Sequence, residues 1–265
     1  MDKERVRNYW TKKAIEVGYD PRSSMKDHEF RESEIEIIKG YLQKEDEVLD
    51  VGCGNGFSTN EYSNHVKKII GIDYIKEFID IAKKLYQGKN NLSFEEGDVL
   101  NIKFKEDSFD KVISERCIIN LTTWEDQKTA IKNIYNVLKP NGIFIMAEVS
   151  VQGMRELDKM RSQFSIEPMS PHWHNLYLDE EKLNEFLKPL FKTEKINRFT
   201  TYALLSKIFH SLYVKPDSPQ FGAKFNKIAR DITIKYPNLV LETSDGDKKV
   251  GFRIRHRSNT SKETR

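Results

Sequence analysis

The sequence predicts an α/β fold in which a mostly parallel sheet carries helices on both faces. Two observations lead to this prediction. Strand-like and helical segments alternate from about residue 46 to residue 150, and a glycine-rich turn follows the first apolar strand, within residues 48–56. Because parallel strands joined by helices bring their carboxyl ends to one edge of the sheet, a ligand is expected to bind there.

The first 45 residues predict two helices, at 3–17 and 29–42. The loop between them contains Gly18 and Pro21, which punctuate the chain. In the second helix, apolar side chains fall at helical spacing and acidic side chains flank them. The segment therefore predicts a helical unit that precedes the core.

The glycine turn carries most of the information about the ligand. Gly52, Gly54 and Gly56 alternate after the first strand, so the backbone can turn sharply and a ligand can approach it without interference from a Cβ atom. A dinucleotide fingerprint would need a third glycine where Phe57 stands. The second apolar strand ends in Asp73, whose carboxylate can accept both hydroxyls of a ribose. This turn predicts a nucleotide-like cofactor.

The remaining core elements follow in the same alternation, and their polar motif residues fall at the carboxyl ends of strands. In chain order, we predict a helix at 75–86, a third strand at 92–94 followed by Glu96-Gly97-Asp98, a fourth strand approached by 107–114, a helix at 130–138, a turn at 140–142 and a fifth strand at 143–149.

The C-terminal part departs from a minimal core in two places. One is an irregular segment at 166–175, and the other is an aromatic-rich segment at 202–236. Around them we predict helices at 154–164 and 179–187, the latter capped by Asp179, and a sixth strand at 191–199.

From about residue 30 to residue 150 these motifs resemble the class I S-adenosylmethionine-dependent methyltransferases in order and spacing. The turn Asp50-x-Gly52-x-Gly54-x-Gly56 matches the first motif of that family, and Asp73 matches the acidic residue after it. The resemblance implies a Rossmann-like sheet of seven strands with the last one antiparallel. It also implies S-adenosyl-L-methionine as cofactor and S-adenosyl-L-homocysteine as product.

The resemblance further implies three parts of the chain. Residues 1–45 are expected to form an N-terminal helical lid, and residues 46–150 the cofactor-binding core. Residues 151–265 would complete the core and add helical insertions, at about 151–177 and 202–243, that form a substrate cap.

Several residues acquire cofactor-binding roles from the resemblance. Asp73 is expected to bind the ribose, and Asp98 the amino group of adenine, because an acid at either strand end has little structural work to do. Arg31 can pair its guanidinium with the cofactor carboxylate, although a solvated helix arginine paired with Glu34 is the simpler alternative. The other expected cofactor contacts are Asp50, Gly52, Cys53, Gly54, Asn55, Gly56, Tyr74, Val99 and Glu115.

Candidates for the catalytic base lie in the irregular segment. His172 and His174 are two apart, so in an extended segment both point to one side while Trp173 points away. The ordinary pKa of histidine, about 6.5, suits proton removal from a hydroxyl acceptor. The alternative is that they are ordinary loop histidines bonded to backbone.

Glu115 is a third candidate, because it follows the fourth strand in a stretch that borders both cofactor and acceptor in the family. It can act as a base, bind an ammonium group, or simply anchor Arg116. Asn120 stands where many relatives carry a histidine, which leaves the base at that position in question. The expected substrate contacts are Arg116, Asn120, Trp173 and Tyr202.

Composition excludes several classes of protein. The 265 residues are 38% hydrophobic, and neither an apolar stretch of transmembrane length nor a secretory leader is evident, so we expect a cytoplasmic protein without membrane contact. The two cysteines predict reduced thiols, and no His/Cys spacing predicts a metal site. A net charge of +3 argues against a nucleic-acid partner, despite an arginine-rich tail at 253–265. The Lys, Asn and Ile content hints at a bacterial source.

The leading functional hypothesis is methyl transfer to a small molecule, at a hydroxyl oxygen of a sugar or another metabolite intermediate. Three alternatives remain open: nitrogen methylation of a small molecule, methylation of RNA or protein, and cofactor binding without catalysis. The aromatic residues of 202–236 are an alternative site for homodimer formation.

Overall fold

A computed structural model of the chain describes residues 2–20, 25–237 and 252–257. It confirms an α/β fold with a mostly parallel sheet between helices. The strands are β1 (Glu47–Val51), β2 (Lys68–Asp73), β3 (Leu92–Glu96), β4 (Phe109–Glu115), β5 (Leu138–Ala147), β6 (Phe191–Asn197) and β7 (Phe252–Arg257). The helices are α1 (Lys3–Val17), α2 (His28–Lys39), α3 (Phe57–Ser63), α4 (Lys76–Leu85), α5 (Trp124–Val137), α6 (Val151–Gln163), α7 (Glu180–Leu187), α8 (Thr200–Tyr202), α9 (His210–Tyr213) and α10 (Lys224–Lys235).

The strand order of the sheet is β3-β2-β1-β4-β5-β7-β6. Strands β1 to β5 pair in parallel, and β7 pairs antiparallel with both β5 and β6. The chain leaves β1 toward β2 on one side and returns to β4 on the other. A crevice therefore opens at the carboxyl ends of β1 and β4, where α/β sheets bind their ligands.

Apolar side chains of alternate residues in β1 face opposite layers, as the period of a strand requires. Leu49 and Val51 belong to one core, which includes the buried face of α5. Val48 belongs to the other core, with Ile35 and Ile38 of α2. Both faces of the sheet are thus covered, and the polar residues of the motifs are left at the strand ends.

The two element boundaries that differ most from the sequence prediction are the starts of α5 and β5. Helix α5 begins at Trp124, well before the predicted 130, because the Thr123 side chain accepts a hydrogen bond from the backbone N–H of Asp126 and caps it. Strand β5 begins at Leu138, where it pairs with Phe109, and its pairing with β4 shifts before resuming at Ile143. The predicted turn at 140–142 therefore lies within the strand.

The second insertion packs against the N-terminal segment. Residues Thr200–Tyr213 form one helical stretch whose middle, Ala203–Phe209, is π-helical. Asp27 accepts hydrogen bonds from the Tyr202 hydroxyl, at 2.6 Å, and from Lys207. Tyr202 is only 1% exposed, so the structure gives it this structural role in place of the predicted substrate contact.

Helix α10 also attaches the second insertion to the N-terminal segment. Arg230 forms ion pairs with Glu29, at 2.7 Å, and with Glu32 of α2.

No helix in the described part of the chain is long and apolar enough to cross a membrane. The predicted insertion residues 238–243 and the basic tail beyond 257 lie outside the described residues.

Candidate functional site

The three glycines after β1 serve two different purposes. All have positive φ, at 73° for Gly52, 55° for Gly54 and 78° for Gly56. A Cβ on Gly52 would lie 2.6 Å from Cys117 Cβ, and one on Gly56 would lie 2.5 Å from Phe94 Cζ. No atom of the described residues lies within 4 Å of a Cβ built on Gly54. Gly52 and Gly56 thus permit close packing, whereas Gly54 leaves an open cradle for a ligand.

Asp73, at the end of β2, holds the glycine loop. Its carboxylate accepts hydrogen bonds from the backbone N–H groups of Gly54 and Ile75, each at 2.9 Å. Burial raises the pKa of Asp73 to about 6, and these two hydrogen bonds oppose the rise. The expectation that Asp73 has little structural work was wrong, because it orders the backbone that a ribose would approach.

The other loop residues are also placed by backbone contacts. The Asn55 side-chain NH₂ donates to the Asp20 carbonyl at 2.9 Å, while its Oδ1 is buried without a hydrogen-bond partner among the described residues. Asp98 accepts from the Leu100 backbone N–H at 2.8 Å, so its side chain caps the short helix that begins at the buried Val99. Tyr74 is half-buried beneath the Arg7 guanidinium.

A cluster of charged residues lies beyond the glycine loop. Arg116, which has a φ of 54°, pairs with Glu34 of α2 and lies 3.6 Å from Glu115. The Tyr62 hydroxyl donates to Glu115 Oε1 at 2.6 Å. The anchoring role of Glu115 toward Arg116 is therefore present, while Oε2 of Glu115 is buried without a hydrogen-bond partner in the described chain.

Arg31 belongs to this cluster and is not a solvated helix arginine. It is 3% exposed, its Nε donates to Ser58 Oγ at 3.3 Å, and its guanidinium lies 4.7 Å from the centre of the Phe57 ring. Glu34, the expected partner, pairs with Arg116 instead. The simple alternative for Arg31 was wrong, and burial beside the glycine loop keeps it a candidate for a ligand carboxylate.

Burial raises the pKa values of the carboxyl groups here. The pKa of Asp50 rises to about 8, because burial disfavours its charge and Glu115 adds repulsion, although Thr59 donates to it at 2.6 Å. Burial also raises the pKa of Glu34 to about 7, against the attraction of Arg116. Desolvation raises the pKa values of the thiols of Cys53, which is buried, and Cys117, which is half-buried, well above their ordinary range.

Glu148, just after β5, is a site residue that the sequence analysis missed. It accepts from Ser114 Oγ at 2.6 Å and from the backbone N–H groups of Cys117, Ile118 and Ile119 at 3.0–3.2 Å. One buried carboxylate thus fixes the turn after β4. The available signal was a glutamate at the end of an otherwise apolar strand.

The two histidines lie in one aromatic cluster but in different environments. His174 is buried between the stacked rings of Tyr9, at 4.4 Å, and His172, at 5.3 Å. Trp173 packs edge-on against His174 and Tyr9. The Arg5 guanidinium lies over the exposed Trp173 ring, 4.3 Å from the ring centre. Trp173 therefore does not point away from the cluster, because the loop is not extended there.

The same cluster contacts the turn after β4. Trp10 Nε1 donates to Asn120 Oδ1 at 3.0 Å, and Asn120 donates in turn to the Arg116 carbonyl at 2.5 Å. The Leu176 N–H bonds the Ile119 carbonyl at 2.6 Å. Helix α1 and residues 172–176 thus cover the carboxyl end of β4. Asn120 is engaged in holding this cover.

His174 makes the stability of the protein sensitive to acid. Burial and the neighbouring His172 lower its pKa to about 4, and its Nδ1 has no hydrogen-bond partner among described residues. Because the fold favours the neutral imidazole, this stabilisation is present above pH 6.5 and is lost as the pH falls toward 4. We expect a loss of about 2 kcal/mol over that range. Urea unfolding of His174→Phe should show a free energy of unfolding without this loss between pH 6.5 and 4. A variant with the same pH dependence as the wild type would contradict the role of His174.

The comparisons with known proteins agree with this geometry. A family described as a methyltransferase domain matches residues 42–201, more than half of the chain. The demethylmenaquinone methyltransferase of Lactococcus lactis is 35% identical over 108 residues, which cover 39% of this chain and 42% of the relative. The chain spans less than half the length of the curated relatives it matches.

Two solved structures share the fold. A complex between the Haloferax volcanii Trm112 methyltransferase activator and a methyltransferase gives a TM-score of 0.58 at 14% identity, over 94% of this chain and 96% of that chain. The N-methyltransferase NodS of Bradyrhizobium japonicum, in complex with S-adenosyl-L-homocysteine, gives 0.56 at 15% identity, over 73% of this chain and 89% of that chain. Because the methyltransferase-domain family matches more than half of its length, the chain belongs to that family.

Proposed function

We propose that the protein transfers a methyl group from S-adenosylmethionine to a hydroxyl oxygen of a small molecule, a sugar or another metabolite intermediate. The observation that carries this proposal is the aromatic cover. In this cover His172 stacks on His174, which packs against Trp10, and the Trp10 indole donates to Asn120 in the turn that follows β4. A covered site of this kind suits a bounded acceptor, and a hydroxyl acceptor needs a base.

The residues present fit the cofactor. Gly54 offers open backbone, and Asp73 and Asp98 offer carboxylates for ribose and adenine at adjacent strand ends. Arg31 supplies a buried guanidinium for the methionine carboxylate, and Asn55 supplies a buried oxygen still lacking a partner in the described chain. The bound cofactor supplies an electrophilic methyl group.

The protein contributes alignment, exclusion of water and proton removal. An imidazole with a pKa near 4 is too weak a base at neutral pH, so we assign His174 to holding the cover closed. We assign proton removal to His172 or Glu115, and acceptor contacts to Arg116 and Trp173. We also propose that residues 1–45 form the lid and that the insertions, at about 151–177 and 202–243, form the substrate cap. The sheet would then be the complete seven-stranded sheet of the family.

A product assay tests this function. The protein is incubated with cofactor and pooled hydroxyl or amine metabolites, and methylated products are identified by mass spectrometry. We expect an O-methyl product, with kcat reduced about 100-fold by His172→Gln or Glu115→Gln and with little change in KM. Surface variant Glu185→Gln should retain wild-type turnover. N-methyl products, methylation of RNA or protein alone, or cofactor binding without turnover would each replace the proposal by the corresponding alternative.

A further inference from the structure

Among residues 2–20, 25–237 and 252–257, the buried charges around the crevice do not balance. Two guanidinium groups face four carboxylates, and every one of these carboxylates is at most 7% exposed. A fifth carboxylate, Glu148, lies beyond Arg116; burial raises its pKa to about 7, although Ser114 and three backbone N–H groups donate hydrogen bonds to it. The unbalanced set consists of Arg31 and Arg116 with Glu34, Asp50, Asp73 and Glu115.

The carboxylates come from different elements that meet at one point. Asp50 lies in β1 and Glu115 ends the neighbouring β4, while Glu34 reaches the same place from α2. Hydroxyl groups satisfy part of the set, since Thr59 donates to Asp50 and Tyr62 donates to Glu115. Oε2 of Glu115 has only a guanidinium nitrogen at 3.6 Å and no hydrogen bond in the described chain. A positively charged ligand would complete this arrangement.

We propose that this carboxylate excess holds a proton in the cofactor-free protein, releases it to solvent when the cationic cofactor binds, and so makes the protein prefer S-adenosylmethionine to its own product. The inference rests on the proposed cofactor site and adds a reason for product release. The raised pKa values of Asp50 and Glu34 support it, because at neutral pH such groups are partly protonated.

The two ligands differ in charge at one atom. S-adenosylmethionine carries an ammonium, a carboxylate and a sulfonium, whereas S-adenosylhomocysteine has a neutral thioether. After methyl transfer the ligand therefore loses the charge that balanced the cluster. The carboxylates then regain the proton from solvent, and the hold on the ligand weakens. A single added charge near buried carboxyls commonly shifts their pKa values by about one unit or more, which corresponds to roughly tenfold in affinity.

Calorimetric titration at pH 7.5 in phosphate and in Tris buffer measures the protons released, because the two buffers take up a proton with different enthalpies. We expect about half a proton released per S-adenosylmethionine, clearly fewer per S-adenosylhomocysteine, and roughly tenfold tighter binding of the former. Affinity for the cofactor should rise between pH 6.5 and 8. In Glu115→Gln, the number of protons released should decrease, and the preference for S-adenosylmethionine over S-adenosylhomocysteine should fall to a few-fold or less. Glu185→Gln should match the wild type in both measurements.

The outcomes separate the two proposals. Equal proton release and equal affinity for both ligands in the wild-type protein would overturn the inference and leave the cofactor site intact. Absence of binding by either ligand would overturn the cofactor site, and the inference with it. Because the wild-type titrations alone decide between these results, a Glu115→Gln protein that fails to fold would not rescue the inference.

Discussion

Replacement of Gly54 by alanine is expected to lower affinity for S-adenosylmethionine by roughly 100-fold while costing only about 1 kcal/mol of stability. The stability cost is small because a Cβ at this position meets no atom in the part of the chain that the structure describes, and its positive φ is then the main unfavourable factor. The affinity cost is large because the added methyl group would fill the cradle where the ligand approaches the backbone. Calorimetric titration and thermal unfolding of the same preparation measure the two effects.

Two other glycines serve as controls for Gly54→Ala. Gly88 also has a positive φ and open space around its Cβ position, but it lies in the loop between α4 and β3. Gly88→Ala should therefore show the same loss of stability with unchanged affinity. Gly52→Ala should instead destabilise the fold by about 2–4 kcal/mol, because its Cβ would clash with Cys117. Wild-type affinity in Gly54→Ala would remove this loop from the cofactor site.

Asp73→Ala is expected to abolish measurable cofactor binding and also to destabilise the protein by about 2–4 kcal/mol. The binding loss follows from its expected contact with the ribose. The loss of stability follows from the two backbone N–H groups, of Gly54 and Ile75, that would lose their acceptor. Both quantities can be measured by calorimetric titration with S-adenosylmethionine and by urea unfolding.

Asp98→Ala is the matched control for Asp73→Ala, since it removes an exposed acid that accepts one backbone hydrogen bond. It should weaken cofactor binding, through loss of the adenine contact, with a stability change of about 1 kcal/mol or less. If Asp73→Ala unfolds more easily yet binds the cofactor with near-wild-type affinity, its role is confined to ordering the glycine loop.

The order of strands and helices could be predicted from the sequence because apolar periodicity and glycine punctuation are local signals. Helix α1 has the predicted bounds, and Asp179 caps α7 as expected. The start of α5 was missed because its exposed first turn carries little apolar periodicity, although Thr123 provides a cap. The break in β5 falls at the predicted turn 140–142, where Asn141 has a φ of 65°, but the pairing of Leu138 with Phe109 before that turn has no local signal.

The candidate site was predicted less completely, because its charges are set by contacts between distant segments. The sequence pointed to Asp50, Asp73 and Glu115, but it gave Arg31 the neighbouring Glu34 as a partner. In the structure Glu34 turns to Arg116, which is 82 positions away, and Arg31 is buried beside Phe57. The separate environments of His172 and His174 arise in the same way, from rings of α1 that pack around one of them.

The ion pairs between α2 and the C-terminal insertion affect the order in which parts of the chain fold during synthesis. Helix α2 carries Arg31, yet its anchors Lys207 and Arg230 lie about 180 to 200 positions later. Contacts of such sequence separation close late in folding, because the loop between them must first be ordered. The parallel core, β1 to β5, is translated long before these anchors leave the ribosome. A nascent chain can therefore order the parallel strands β1 to β5 first, whereas α2 is anchored only after Arg230 has emerged, and β7 joins the sheet later still.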